Sequence, residues 1–137
     1  MAQKTYIARK GDDVNVGELT FKTTVETKTA SYTVTAEDSG KLFLANGSGT
    51  VVFTLPATAL GLTYTFLVMQ LPGSGAGTSV SPAAADKIIG NGFTAADDKD
   101  AINTAASDAL GDLITVVGDG IDGWYVTAVR GTWAREA

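Results

Sequence analysis

Apolar and polar residues change places every one or two positions along most of this chain, in short runs rich in Thr, Val, Phe, Tyr and Ile and separated by Gly. Alternation with period two puts one side chain set on each face of a strand, and β-branched and aromatic residues fit a pleated surface. The pattern predicts strands at about Leu19–Glu26, Ala30–Thr35, Lys41–Ala45, Val51–Leu55, Leu62–Leu71, Thr78–Ser81, Leu113–Val117 and Trp124–Val129. Tyr32 and Val34 share one face, opposite Ser31, Thr33 and Thr35. In Trp124–Val129 both alternating sets are largely apolar, which suits a strand covered on two sides or one at an interface.

The breaks between runs have chemical causes. Asn46-Gly47-Ser48-Gly49 reads as a tight hairpin turn, because Asn and Gly accept the positive φ that such turns need. Ala36-Glu37-Asp38-Ser39-Gly40 is a second polar turn. Pro56 ends its strand because it has no N–H for the ladder. Gly73–Gly77 is a loop of small residues, Ile88-Ile89-Gly90-Asn91-Gly92 a short strand entering a turn, and Gly118–Gly123 the link between the last two main strands. Ala101–Gly111 carries apolar residues at helical spacing, with Asp98 or Asp100 placed to cap it. Asn103-Thr104 and Ser107-Asp108 interrupt that spacing and favour an extended or irregular course. Seven or eight short strands about ten residues apart, without helices between them, predict an all-β, antiparallel β-sandwich or jelly-roll-like fold with at most one short helix. The more polar residues 1–17 read as an extended N-terminal arm, and residues 18–137 as the single sandwich domain.

Composition narrows the chemistry. The chain has 137 residues, and 18% of them are charged, below the roughly 25% usual in soluble domains. Cys and His are both absent, which removes disulfides, thiol nucleophiles, imidazole metal ligands and His-based triads. The net charge of −5 argues against a nucleic-acid partner. Charge is uneven: Lys4, Arg9 and Lys10 stand without an acid in residues 1–11, while residues 86–122 set eight aspartates against Lys87 and Lys99. The opening MAQKTYIARKGDD has no apolar leader, and Leu62–Leu71, the longest apolar stretch, is too short to span a bilayer. The expectation is a chain kept in the cytosol, or assembled there into something larger, with no membrane partner.

Three motifs test poorly against the chemistry they suggest. Gly118-x-Gly120-x-x-Gly123 has the dinucleotide spacing, but Trp124-Tyr125-Val126-Thr127 follows where a helix must begin, so a Gly-rich hairpin turn is the better reading. Asp97-Asp98-Lys99-Asp100 and Asp119-Gly120-Ile121-Asp122 lack the Asp-x-Asp-x-Asp-Gly order of a calcium loop. Neither a nucleophile elbow nor a phosphate loop is present. No cofactor, metal or catalytic residue is therefore expected. Trp124, Tyr125 and Trp133 are candidates for a sugar platform or a protein contact, with core packing the favoured role for Trp124.

Several phrases in order carry a family resemblance: Thr35-Ala-Glu-Asp-Ser-Gly-Lys-Leu-Phe-Leu44, Val52-Phe-Thr-Leu-Pro56, Gly61-Leu-Thr-Tyr-Thr-Phe-Leu-Val68, Ile88-Ile-Gly90, the run from Gly111 to Gly120, Gly123-Trp-Tyr-Val126 and Gly131-Thr-Trp133. Over about residues 30–133 the chain resembles a β-rich module of tailed-bacteriophage virion proteins, most closely the small capsid decoration, or cement, proteins. The resemblance implies a non-enzymatic structural protein on the outer surface of a phage capsid. It would bridge major capsid protein subunits as a homotrimer after assembly in the host cytoplasm. On that reading Lys4, Tyr6, Arg9 and Lys10 of the basic arm are the capsid-contact candidates, and Tyr125 and Trp133 the subunit-contact candidates. The alternative is a tail-fibre or receptor-binding head that recognises a bacterial surface glycan through Trp124, Tyr125 or Trp133.

Overall fold

The computed structural model describes residues 22–70 and 75–137. The expected arm, with Lys4, Tyr6, Arg9 and Lys10, lies outside the described residues. Among the described residues eleven strands form two sheets. The first is built from β1 (Val25–Lys28), β3 (Leu42–Ala45), β5 (Thr63–Val68), β9 (Leu113–Gly118), β10 (Gly123–Arg130) and β7 (Lys87–Ile89), in that spatial order. The second is built from β11 (Ala134–Arg135), β8 (Ala101–Asn103), β6 (Thr78–Ser81), β4 (Val51–Thr54) and β2 (Tyr32–Thr33). The fold is all-β and sandwich-like, as the alternation predicts. Its only helical element among the described residues is the 3-10 turn Ala36–Asp38. Ala101–Gly111 forms β8 and then turns, in line with the extended reading.

The strand pairing differs from the antiparallel expectation. Five of the nine pairings are parallel, namely β1–β3, β3–β5, β2–β4, β4–β6 and β7–β10. The cause is the route of the chain. From β1 to β9 it changes sheet at every connection, so strands that follow one another in sequence lie in opposite layers, and from β1 to β6 strands two apart are parallel neighbours. Asn46–Gly49 is accordingly a crossing between layers and not a hairpin turn. It is tightly built: a Cβ on Gly47 would lie 2.6 Å from Val51 Cγ2 and 3.1 Å from the Thr29 carbonyl. The β9–β10 connection does stay within one sheet, as the Gly118–Gly123 turn predicts.

Alternation decides what fills the gap between layers. Phe43, Tyr64, Phe66, Ile114, Val116 and Trp124 of the first sheet are wholly buried against Val51, Phe53 and Val80 of the second. Phe43 and Phe66 lie 5.7 Å apart between ring centroids, and Phe53 reaches across from the other sheet to 5.6 Å from Phe43 and 4.7 Å from Phe66. Tyr64 stacks towards Trp124 at 5.5 Å. Trp124 thus takes the core role favoured for it. Trp133 is also part of this core, and its indole N–H donates to the Arg130 carbonyl at 3.0 Å. That burial within one subunit corrects the expectation of Trp133 as a subunit contact: β11 docks on β8 and carries the preceding ring inward.

Strand β7 meets β10 where Gly123 holds a φ of +155°, and a Cβ there would overlap the Lys87 backbone. Only glycine lets the two backbones come that close. Gly123→Ala is expected to lower stability by about 3 kcal/mol or more, measured by urea unfolding. A variant as stable as the wild type would show that this pairing tolerates a side chain.

Candidate docking surface at one end of the sandwich

β1, β3, β5, β10 and β7 all run in one direction, so their starting ends lie together at one end of the first sheet. Three features gather there: the chain's entry into β1, the loop between β4 and β5, and the turn between β9 and β10. The entry is fixed by the Leu42 N–H, which donates to the Thr24 carbonyl at 2.9 Å.

The turn is organised by Asp119. One oxygen of its carboxylate accepts the backbone N–H groups of Ile121, Asp122 and Gly123 at 2.8, 3.0 and 2.9 Å. Those N–H groups, Gly123 first, hold its pKa below the usual carboxylate value. This is the turn chemistry that Asp and Gly supply, and it uses the carboxylate structurally.

The neighbouring loop is pinned to that turn through Thr58. Its hydroxyl donates to the Gly123 carbonyl at 2.6 Å and accepts the Gly120 N–H at 3.2 Å. Its backbone N–H donates to Asp86 at 2.7 Å. Two further backbone bonds, Gly61 to Gly118 and Gly118 to Leu62, close the loops together at 3.0 and 2.8 Å. A Cβ on Gly120 would stand 3.0 Å from the Leu60 nitrogen.

The result is that Leu60 and Ile121, 85% and 86% exposed, stand on two tethered loops that meet where Gly120 lies against Leu60. Exposing one leucine is ordinary; here two large aliphatic side chains are held out on hydrogen-bonded loops. Nearby, Lys87 lies 3.4 Å from Asp97 and 3.3 Å from Asp122, and both carboxylates are mostly exposed. The Lys87 pKa is raised, chiefly by the hydrogen bond to Asp122. The residues at this end were missed in the sequence. Their one signal was an isolated aliphatic residue inside each turn, at Ala59-Leu60-Gly61 and Gly120-Ile121-Asp122.

The same end carries a compact ionic network. The Asp38 carboxylate accepts the Thr35 N–H at 3.0 Å, the Thr35 hydroxyl at 3.1 Å, the Tyr32 hydroxyl at 3.0 Å and the Lys41 ammonium at 2.7 Å. Burial pushes this carboxyl up, but Lys41, then Thr35 and Tyr32, outweigh it and hold its pKa at about 2. Lys41 also reaches Glu26 at 3.1 Å, and Lys28 pairs with Glu26 while lying 3.5 Å over the Tyr32 ring. The network ties β1, β2 and the 3-10 turn to the start of β3.

The acidic late segment does not form one exposed patch. Asp86, Asp108 and Asp112 are buried. Asp112 accepts Asn103 Nδ2 and the Ala109 N–H, each at 3.0 Å, which is a structural use. Among the described residues no group of three Asp or Glu side chains is placed to hold a metal ion. No helix among them is long and apolar enough to cross a membrane. Tyr125 is 48% exposed on β10, whereas Trp124 and Trp133 are buried. No protein-family model matches the chain, and no curated protein matches it.

Asp38 sets a pH expectation. Its folded pKa of about 2 lies below the unfolded value near 3.9, so its stabilising contribution is complete above about pH 4 and is lost as pH falls towards 2. Asp38→Asn is expected to cost about 1–3 kcal/mol at neutral pH, because it removes the charge that Lys41 faces and one acceptor set. It should also flatten the fall of melting temperature between pH 4 and 2, read by circular dichroism. An unchanged acid slope would assign the acid sensitivity to other carboxylates.

Proposed function

We propose that this chain is a non-enzymatic structural protein of a phage virion, which decorates and stabilises the capsid by binding major capsid protein subunits. The observation that carries the reading is the pair Leu60 and Ile121, almost fully exposed on loops tethered through Thr58 and Asp119. A rigid apolar tip meets a pocket in another protein without the entropy cost of ordering loops on contact. The described chain enters β1 at this same end of the sheet, and the basic residues Lys4, Arg9 and Lys10 precede it in the sequence. Tip and arm are the two proposed contacts with the capsid protein. Many such copies, each contributing weak contacts between adjacent subunits, lower the free energy of a closed shell.

The buried carboxylates support this reading over a hydrolytic one. Asp38, Asp86 and Asp112 accept hydrogen bonds that hold the fold, and so does the exposed-turn residue Asp119. The glycan-binding alternative loses two of its three aromatic candidates, since Trp124 and Trp133 lie in the core and Tyr125 alone faces outward.

Full-length protein should bind shells assembled from a phage major capsid protein. The double variant Leu60→Ser with Ile121→Ser should weaken that binding at least tenfold in a pelleting assay while leaving the melting temperature within a few degrees. Deleting residues 2–12 should abolish binding by a folded protein. Wild-type affinity in both variants would refute the docking end, and binding to a glycan array lost on Tyr125→Ala would favour the receptor-binding alternative.

A further inference from the structure

Four places in the chain carry the chemistry for a spontaneous backbone rearrangement: Asn46-Gly47, Asn91-Gly92, Asp119-Gly120 and Asp122-Gly123. In each, a side-chain carbonyl carbon stands next to a glycine nitrogen that has no Cβ beside it to hinder attack. That nitrogen can close on the carbon to give a five-membered imide. By sequence alone the two Asn-Gly pairs are equivalent. The fold separates them, because closure needs a free N–H and a peptide able to turn until nitrogen and carbon touch.

Three of the four are blocked. The Gly120 N–H donates to Thr58 Oγ1 at 3.2 Å and the Gly123 N–H to Asp119 Oδ1 at 2.9 Å, so both nitrogens are engaged. Gly47 is buried in the crossing between layers. The place a Cβ would take there lies 2.6 Å from Val51 Cγ2 and 2.8 Å from the Gly49 carbonyl oxygen. The Asn46 N–H is held by the Lys28 carbonyl at 2.9 Å. The Asn46–Gly47 peptide therefore cannot turn without moving the start of β4.

The fourth is open. Asn91 and Gly92 are both exposed, and nothing lies within 4 Å of a Cβ built on Gly92. Among the described residues the Gly92 N–H donates to no other group. The turn is closed by the Phe93 N–H, which donates to the Gly90 carbonyl at 2.9 Å. Asn91 has a φ of +52° and Gly92 a φ of +76°, the signs of a type I′ turn. A type II′ turn keeps the same closing bond and the positive φ at its first central residue. It differs by a flip of the peptide between the two central residues, and glycine at the second accepts either sign of φ. The Asn91–Gly92 peptide can thus rotate while the turn stays closed.

We propose that Asn91 is a site of spontaneous deamidation in the folded protein. The Gly92 nitrogen loses its proton to solvent and bonds to Asn91 Cγ. The side-chain nitrogen takes up a proton and leaves as ammonia, closing the imide. Water then opens the ring at either carbonyl and leaves aspartate or isoaspartate at position 91. One water is consumed and one ammonia released, with no oxidant, reductant or enzyme. The new carboxylate lies on a groove lined by Asn91, Val126, Thr127, Ala128 and Val129, beside β10 beyond its last pairing with β7 at Tyr125. None of those five side chains is charged, so the reaction changes the chemistry of that groove.

The test incubates the full-length protein at neutral pH and physiological temperature, once folded and once in urea. Tryptic peptides are then quantified by mass spectrometry, and isoaspartate by methyltransferase labelling. Cleavage after Lys41, Lys87, Lys99 and Arg130 puts Asn46 in residues 42–87, Asn91 in 88–99 and both Asp-Gly pairs in 100–130. In urea the two asparagines should convert at similar rates. Folding should slow Asn46 by about tenfold or more and leave Asn91 within about threefold of its rate in urea. The 100–130 peptide should gain isoaspartate in urea and not in the folded protein. A folded protein whose 88–99 peptide keeps its amide while the urea sample converts overturns the proposal. So does equal conversion of the 42–87 and 88–99 peptides in the folded protein, which would mean that sequence alone sets the rate.

Discussion

The contact of Phe53 with Phe43 and Phe66 across the gap between the sheets is the interaction on which the rest depends. β3 and β5 pair directly, but β4 belongs to the opposite layer, and the three rings bind those layers where the chain passes from one to the other. Each large apolar side chain removed from water contributes about 1.5–3 kcal/mol, and a ring cut back to a methyl would cost about 3–5 kcal/mol because neighbours pinned by two ladders cannot collapse into the gap. The crossing connections follow from this packing. A strand with one apolar face is satisfied either by continuing its own sheet or by facing the other one, and here successive strands take the second course.

Crossing at nearly every connection collects chain turns at the two ends of the sandwich. It also gathers the starting ends of five strands of the first sheet at one of them. That is why Leu60, Ile121, the Asp38 network and the entry into β1 share a neighbourhood although they are scattered along the sequence. The polar groups there are used to hold positions: Asp119 closes a turn, Thr58 ties two loops, and Asp38 locks the 3-10 turn to Lys41. These contacts fix the loops at this end relative to the sheet.

Much of the local structure could be read from residue order. The turn at Gly118–Gly123, the extended course after Ala101 and the burial of Trp124 all followed from short-range pattern. Trp133 did not, because a tryptophan after Gly131-Thr132 near the end of the sequence carries no periodic neighbours to show which way it faces. Nor did Leu60 and Ile121, which a pattern search discounts as stray aliphatics in turns. Their meaning arises only when Thr58 brings the two turns together across 62 residues of sequence.

Alternation with period two, set by the geometry of an extended backbone, fixed the class of fold and the identity of most core side chains without reference to anything distant. It also placed a largely apolar set on both faces of β9 and of the start of β10, a fact visible in the chain before any pairing is known. Which strands became neighbours, and in what direction, was left to tertiary structure. A short turn between two strands serves a hairpin or a step across the roughly 10 Å between packed sheets equally well. Only the fit of side chains such as Phe53 into the opposite layer chooses between them.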